Sequence, residues 1–266
     1  MWWRRRKTSP VLGRGTFGVV RADVGPDGTS LAVKTVPWSS AATEEVRLLR
    51  ALPPHPHLVQ YLSSRKRGRT LTITMGRVGD GRTLADHRDL TGPSVRLATA
   101  HVASALAHVH ARGILHRDVK ARNVLVVDAN LPTMRCVLGD FGVATGATDT
   151  RGHYRLPNTT GGRGDTRYRA PEALHGRPYG PAADLFSLGL VLWEMLSRLS
   201  VGEVVTGPWC TDVDFRECVH QVAEDAADPV LALLLVSLPR EEPGERPTAV
   251  DVAQRLRHER RPSRPA

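Results

Sequence analysis

Cysteine is scarce: Cys136, Cys210 and Cys218 are the whole set in 266 residues. Their spacing offers neither a metal-type pair nor a disulfide framework, which points to a reducing compartment. Long apolar runs are missing. The longest, around Leu185 to Leu196 and Val230 to Leu238, are too short or too interrupted to span a bilayer. An N-terminal leader is not visible either, because Trp2-Trp3 runs directly into charge with no apolar core. No repeat is present. Acidic residues are in deficit, 27 against 37 Lys and Arg, a formal charge of +10. The surplus attracts anions: nucleotides, phosphorylated or acidic proteins, or nucleic acid. It concentrates in Arg4 to Lys7, between Arg151 and Arg177, and from Arg255 to Arg264. Solvated arginines that aid solubility account for it equally well. Aromatic residues are 5% of the chain and do not interleave with the basic stretches, so charge alone does not argue for nucleic acid.

What is present is length enough for one large domain or two lobes, and one chemically dense stretch. His116-Arg117-Asp118-Val119-Lys120-Ala121-Arg122-Asn123 follows a helical pattern and precedes the apolar run Val124 to Val127. A carboxylate there can take the proton of an attacking hydroxyl, a lysine can neutralise a moving phosphoryl group, and an amide oxygen can hold magnesium. A polar turn would also fit this stretch taken alone. Upstream, Leu12-Gly13-Arg14-Gly15 and Gly18 punctuate two strand patterns, where backbone N–H groups can approach phosphates without Cβ interference. The turn Gly25-Pro26-Asp27-Gly28 argues for a β-hairpin, not for a helix opened by glycines. Ser30 to Val36 is expected as a strand ending in Ala32-Val33-Lys34, and Ser40 to Leu52 as a helix with Val46, Leu49 and Leu52 as its apolar stripe. Leu71 to Met75 reads as a further strand, followed by a Gly-rich turn. Ser94 to Arg112 reads as a long helix capped by Ser94 and closed by Gly113, with Val95, Ala98, Val102, Ala105, Leu106 and Val109 inward. His101, His108 and His110 are expected to be ordinary helix residues, and His55 and His57 not to form a metal site. A hairpin from Val124 to Leu138 then delivers Asp140-Phe141-Gly142, with Asp140 lying 22 residues after Asp118.

Taken in order, these motifs resemble eukaryotic-type protein kinases from about Val11 to Leu256. The resemblance implies an α+β, two-lobed protein kinase fold: a small β-rich lobe over about 11–75, a hinge at 76–81 and a larger, mostly helical lobe over about 82–256. Residues 1–10 would be a basic lead-in and 257–266 a basic tail. It implies ATP and Mg2+ as cofactors, with Leu12, Gly13, Gly15, Gly18, Val20, Ala32, Lys34, Glu45, Met75, Val78 and Leu125 around the nucleotide, and Phe17 at the tip of the glycine loop. Lys34 would hold the α- and β-phosphates, oriented by Glu45, with Glu44 kept open as its rival. Asp118, Lys120 and Asn123 would be catalytic, and Asn123 and Asp140 would hold the metal. Lys120, two residues after Asp118, resembles serine/threonine kinases, while Ala121-Arg122-Asn123 also resembles tyrosine kinases.

Ala170-Pro171-Glu172 resembles the end of an activation segment. Thr148, Thr150, Tyr154, Thr159 and Thr160 are its candidate phosphosites, with Arg117 as phosphate receiver. The slot where most serine/threonine kinases carry a threonine that binds the catalytic aspartate holds Asp165, with Thr166 one residue late, so either the loop is one residue shorter or that contact is altered. Asp184 is expected to brace the catalytic-loop backbone from a helix apolar all round, and Arg246 to pair with Glu172. A protein substrate follows, acidic if Arg151, Arg155, Arg163, Arg167, Arg169 and Arg177 read it. No membrane and no nucleic acid partner is expected, and the location is expected to be intracellular, cytoplasmic or nuclear. The alternatives are a pseudokinase-type binding scaffold, although none of Lys34, Asp118 and Asp140 is lost, and a dual-specificity or tyrosine kinase. No receptor or regulatory module is recognisable, so regulation is expected from the chain's own loop, its tails or a partner.

Overall fold

A computed structural model describes residues 9–15, 18–146, 165–204 and 213–258. Phe17, Cys210, the five candidate phosphosites, Arg151, Arg155 and Arg163, the basic stretch Arg4 to Lys7 and the part of the basic tail from residue 259 onward lie outside the described residues.

The first lobe is an antiparallel five-stranded sheet in the order β1-β2-β3-β5-β4. Its strands are β1 (Val11–Gly15), β2 (Gly18–Val24), β3 (Ser30–Pro37), β4 (Tyr61–Arg67) and β5 (Thr70–Gly76). The turn from β2 to β3 is closed by Gly25 N–H on the Thr29 carbonyl at 2.8 Å, and Gly28 adopts φ +84°, which glycine tolerates without steric cost. Gly18 is constrained differently: with φ +148°, a Cβ there would collide with the Thr35 carbonyl. Only glycine lets β2 pass this close to β3.

Helix α1 (Ser40–Ala51) starts where the Ser39 hydroxyl accepts the Ala42 N–H at 3.1 Å. It buries Ala42, Glu45, Leu48 and Leu49. The expected stripe is thus rotated. Val46 and Leu52 are only half-buried, because the 42-45-48-49 spacing is the row that follows the helical period on the sheet side.

The second lobe is built on α2 (Gly92–His110), whose expected inward row is buried throughout. Its cap differs from expectation. Thr91 is the N-cap, Pro93 occupies the first turn, and Ser94 is buried with its hydroxyl 3.1 Å from that of Thr91. A proline at the first turn lacks an N–H that would go unpaired anyway, so the cap lies three residues, nearly one turn, before the serine. Gly113 closes it with φ +66°. Short strands follow: β6 (Ile114–Leu115), β7 (Val124–Asp128), β8 (Arg135–Leu138) and β9 (Thr145–Gly146), with β6 paired to β9 and β7 to β8.

The rest is helical: α3 (Pro171–Leu174), α4 (Pro181–Ser197), α5 (Val201–Val204), α6 (Val213–Glu224), α7 (Pro229–Ser237) and α8 (Ala249–His258). Helix α4 is enclosed on all sides, with every residue from Asp184 to Met195 buried. Each fully buried leucine in it withdraws apolar surface worth roughly 2 kcal/mol. Gly189 lets α4 approach the end of α7, since a Cβ there would lie 2.8 Å from Leu238 Cβ. Among the described residues no helix is long and apolar enough to cross a membrane.

Candidate active site

The carboxylate of Asp118 is buried and fully engaged. Its Oδ2 accepts Lys120 Nζ at 2.8 Å and Asn123 Nδ2 at 2.8 Å, and its Oδ1 accepts the Asp165 backbone N–H at 3.2 Å. Asn123 Nδ2 also reaches the Asp118 carbonyl at 2.7 Å, and the amide oxygen of Asn123 accepts no hydrogen bond among the described residues. The loop backbone is anchored from α4. Asp184 accepts the N–H of His116 at 2.9 Å and of Arg117 at 2.8 Å, as expected from the sequence. Arg117 sits at φ +65°, a conformation that costs a non-glycine residue energy. That cost is offset by the Asp184 contact and by Arg117 Nε donating to the Val143 carbonyl at 2.6 Å.

Lys34 joins the small lobe to the large one. Its Nζ lies 2.7 Å from Glu45 Oε1 and 2.8 Å from Asp140 Oδ1. Burial would push the Lys34 ammonium down, but the Asp140 and Glu45 carboxylates together more than offset it, so its pKa rises and it stays charged. Burial raises Glu45 in spite of Lys34, whereas Lys34 holds Asp140 below its ordinary range against burial. The choice between the two glutamates is thereby resolved. Glu44 is turned outward and paired with Arg47, with Oε1 2.6 Å from Nη2. Asp140 is itself at φ +60°, with Phe141 buried beneath it against the ring of His116, centroids 4.9 Å apart.

Around this centre the sheet register aligns the other candidates. Gly13 is opposite Val20, Val20 opposite Lys34, and Ala32 opposite Met75. Leu12 rests on Gly81 in the turn after β5, and Gly79, at φ +49°, lets that turn lie on the β7 backbone at Val126 and Val127. Leu125 borders Gly139, just before Asp140. Leu12, Val20, Ala32, Met75, Val78 and Leu125 are all half-buried, as the walls of an open cleft are. Gly15 ends β1 in an exposed position.

Beyond the cleft, Arg246 binds Glu172 as the sequence suggested, and Tyr168 Oη donates to Glu194 Oε1 at 2.7 Å. The histidines of α2 need correction. His110 Nε2 is 2.8 Å from Asp184 Oδ2, so it supports the brace of the loop that carries Asp118. His101 stacks on His57 with centroids 3.9 Å apart, and His108 lies against His55 at 4.7 Å. The helical period could have flagged His101 and His108, one turn apart from the buried row. The Asp184 partner of His110 had no sequence signal.

The sequence matches the family described as protein kinase domain over residues 6–258. The chain belongs to the protein kinase family. The kinase is 32% identical to the serine/threonine-protein kinase PkaA of Streptomyces coelicolor, over 96% of its own length and 46% of that protein. It is 35% identical to PkaB of the same organism over 70% of its length and 47% of that protein, and 33% identical to the serine/threonine-protein kinase fused of Drosophila melanogaster over 73% and 24%. It therefore spans between about a quarter and a half of these relatives. The described kinase domain has the two-lobed α+β architecture that the resemblance implied.

Proposed function

We propose that this chain transfers the γ-phosphate of ATP to serine or threonine hydroxyls of proteins. The observation that carries the reading is the constellation of Lys120, Asn123 and Asp118 within 2.8 Å contacts, facing an Asp140 held by the Lys34–Glu45 pair. Asp118 is the group that orients the substrate hydroxyl and accepts its proton, since its carboxylate is fixed from three sides. Lys120 lies beside it and supplies positive charge to the transferring phosphoryl group. Lys34, kept charged by two carboxylates, holds the α- and β-phosphates, and Glu45 orients it. Gly13, Gly15 and Gly18 bring backbone N–H groups to the phosphates, while Leu12, Val20, Ala32, Met75, Val78 and Leu125 enclose the base.

The donor set fits magnesium. The Asn123 amide oxygen and the Asp140 Oδ2 take no hydrogen bond among the described residues, and two hard oxygens suit that ion. Bound there, the ion would neutralise phosphate charge. Serine/threonine preference is supported by Lys120 two residues after Asp118 and by the relatives' names. Acidic substrates are supported by the net charge of +10, although Arg167 is already committed to Asp165. An intracellular site of action, cytoplasmic or nuclear, follows from the use of ATP.

The test is transfer of labelled γ-phosphate to a basic and an acidic protein, with Asp118→Asn alongside, followed by identification of the phosphorylated residue. Phosphoserine or phosphothreonine that disappears in the variant is the expected result. Phosphotyrosine alone, or no transfer despite ATP binding, would overturn it.

A further inference from the structure

Asp118 depends on a donor that a threonine hydroxyl does not supply here. The residue in that slot is Asp165, and an ionised carboxylate has no proton to donate. The donor is instead the Asp165 backbone N–H, 3.2 Å from Asp118 Oδ1. A backbone donor is only as well aimed as its peptide plane, so that plane must be held.

The Asp165 side chain holds it. Its carboxylate caps the short turn Thr166–Tyr168 by accepting the Arg167 N–H at 3.2 Å. It then accepts the Arg167 guanidinium twice, Nε at 2.9 Å and Nη2 at 2.7 Å. This is a fork-to-fork contact with one relative orientation. Arg167 is in turn backed by α5. Its guanidinium fills the space that a side chain on Gly202 would need. The far side of the turn is secured by Tyr168 Oη on Glu194 and by Ser187 Oγ on the Tyr168 carbonyl, both at 2.7 Å. Burial opposes charge on Asp165, but Arg167 and Lys120 keep its carboxyl below the ordinary range, so the cap stays ionised.

We propose that Asp165 and Arg167 are positioning residues for the catalytic carboxylate. Arg167, lodged on α5, fixes the Asp165 carboxylate, and the Asp165 peptide thereby aims its N–H at Asp118. A charge pair does here what a hydroxyl contact does elsewhere. The inference rests on the kinase reading for what Asp118 does, and on geometry alone for how it is held.

The experiment uses Arg167→Ala, Arg167→Lys, Asp165→Asn and the double variant Asp165→Asn/Arg167→Ala, with circular dichroism to verify folding. Two quantities are read: steady-state kcat and KM for ATP, and amide hydrogen exchange at Asp165. Arg167→Ala is expected to lower kcat about tenfold, equivalent to about 1.4 kcal/mol, with KM for ATP unchanged. It should also speed exchange at Asp165 about tenfold. Arg167→Lys should recover part of both, since it restores charge without the fork. The double variant should be no worse than the poorer single variant, as for two parts of one unit. Wild-type kcat together with wild-type exchange in Arg167→Ala would overturn the proposal, as would losses that multiply in the double variant. A wild-type chain that transfers no phosphate would sink the kinase reading separately. Exchange would then still decide the positioning: faster in Arg167→Ala upholds it, unchanged overturns it.

Discussion

Arg246 grips both oxygens of Glu172, Nη1 on Oε1 at 2.7 Å and Nη2 on Oε2 at 2.9 Å, with the guanidinium wholly out of solvent. The same guanidinium donates to the carbonyls of Arg240, Ala182 and Glu241, so it ties the start of α4 and the segment before α8 to the end of the activation segment. Arg246→Ala leaves a buried carboxylate and three carbonyls unpaired. It is expected to cost about 3–5 kcal/mol, seen as a lower urea midpoint. Arg246→Lys should recover little, because an ammonium cannot span both oxygens.

Lys34 has two carboxylate partners, and they are not equivalent. Glu45→Ala leaves the ammonium with Asp140 alone and free to swing. A lost charge-assisted hydrogen bond is worth about 1.5–3 kcal/mol, so kcat/KM for ATP should fall roughly 10- to 100-fold. Glu44→Gln should leave it at the wild-type value, since Glu44 pairs only with Arg47 on the exposed face. Nucleotide titration of initial rates would distinguish the two.

Asp184 satisfies two backbone N–H groups and His110 at once. These partners, led by His110, hold its carboxyl below the ordinary range although burial works against the charge. Asp184→Ala should destabilise the fold by roughly 2–4 kcal/mol, the cost of stranding buried donors. It should also lower kcat, because Arg117 loses the contact that holds it at positive φ. Chemical denaturation and initial rates together would show both effects.

Histidines 55, 57, 101 and 108 form stacked and tilted pairs between the segment after α1 and the α2 face. Burial, with His108, His57, Arg112 and Arg257 nearby, pushes His55 down from 6.5 to about 4, and Arg135 and Arg257 face His57. Between about pH 4 and pH 6.5 His55 is therefore neutral in the fold and protonated once unfolded. Its contribution is fully present above pH 6.5 and is lost as pH falls from 6.5 toward 4. The melting temperature should decline between pH 7 and pH 5.5, at roughly 2–4 °C per kcal/mol lost. The slope should flatten in His55→Gln.

The order of elements and the charged centre were readable because their residues declare themselves locally. Lys34 lies in a strand pattern, Glu44 and Glu45 in the helix that follows it, and Asp118, Lys120 and Asn123 share one loop; that Glu45 is on the inward row was shown only by the rotated stripe of α1. What escaped was set by partners remote in the chain. His110 looked ordinary because Asp184 lies 74 residues away. Asp165 looked like a lost hydroxyl because a backbone N–H leaves no mark in a sequence. The cap of α2 was misplaced because Ser94 and Thr91 are both competent, and only packing turns Ser94 inward.

Asp184 and Glu194 belong to the same enclosed helix, α4. One end grips the loop that carries Asp118, and the other grips Tyr168 in the turn before Ala170-Pro171-Glu172. Their separation is the rise of the helix itself, about 15 Å at roughly 1.5 Å per residue. The distance between the Asp118 loop and the Tyr168 turn is therefore graduated by a rigid rule. Surface loops can drift in length and sequence without recalibrating it.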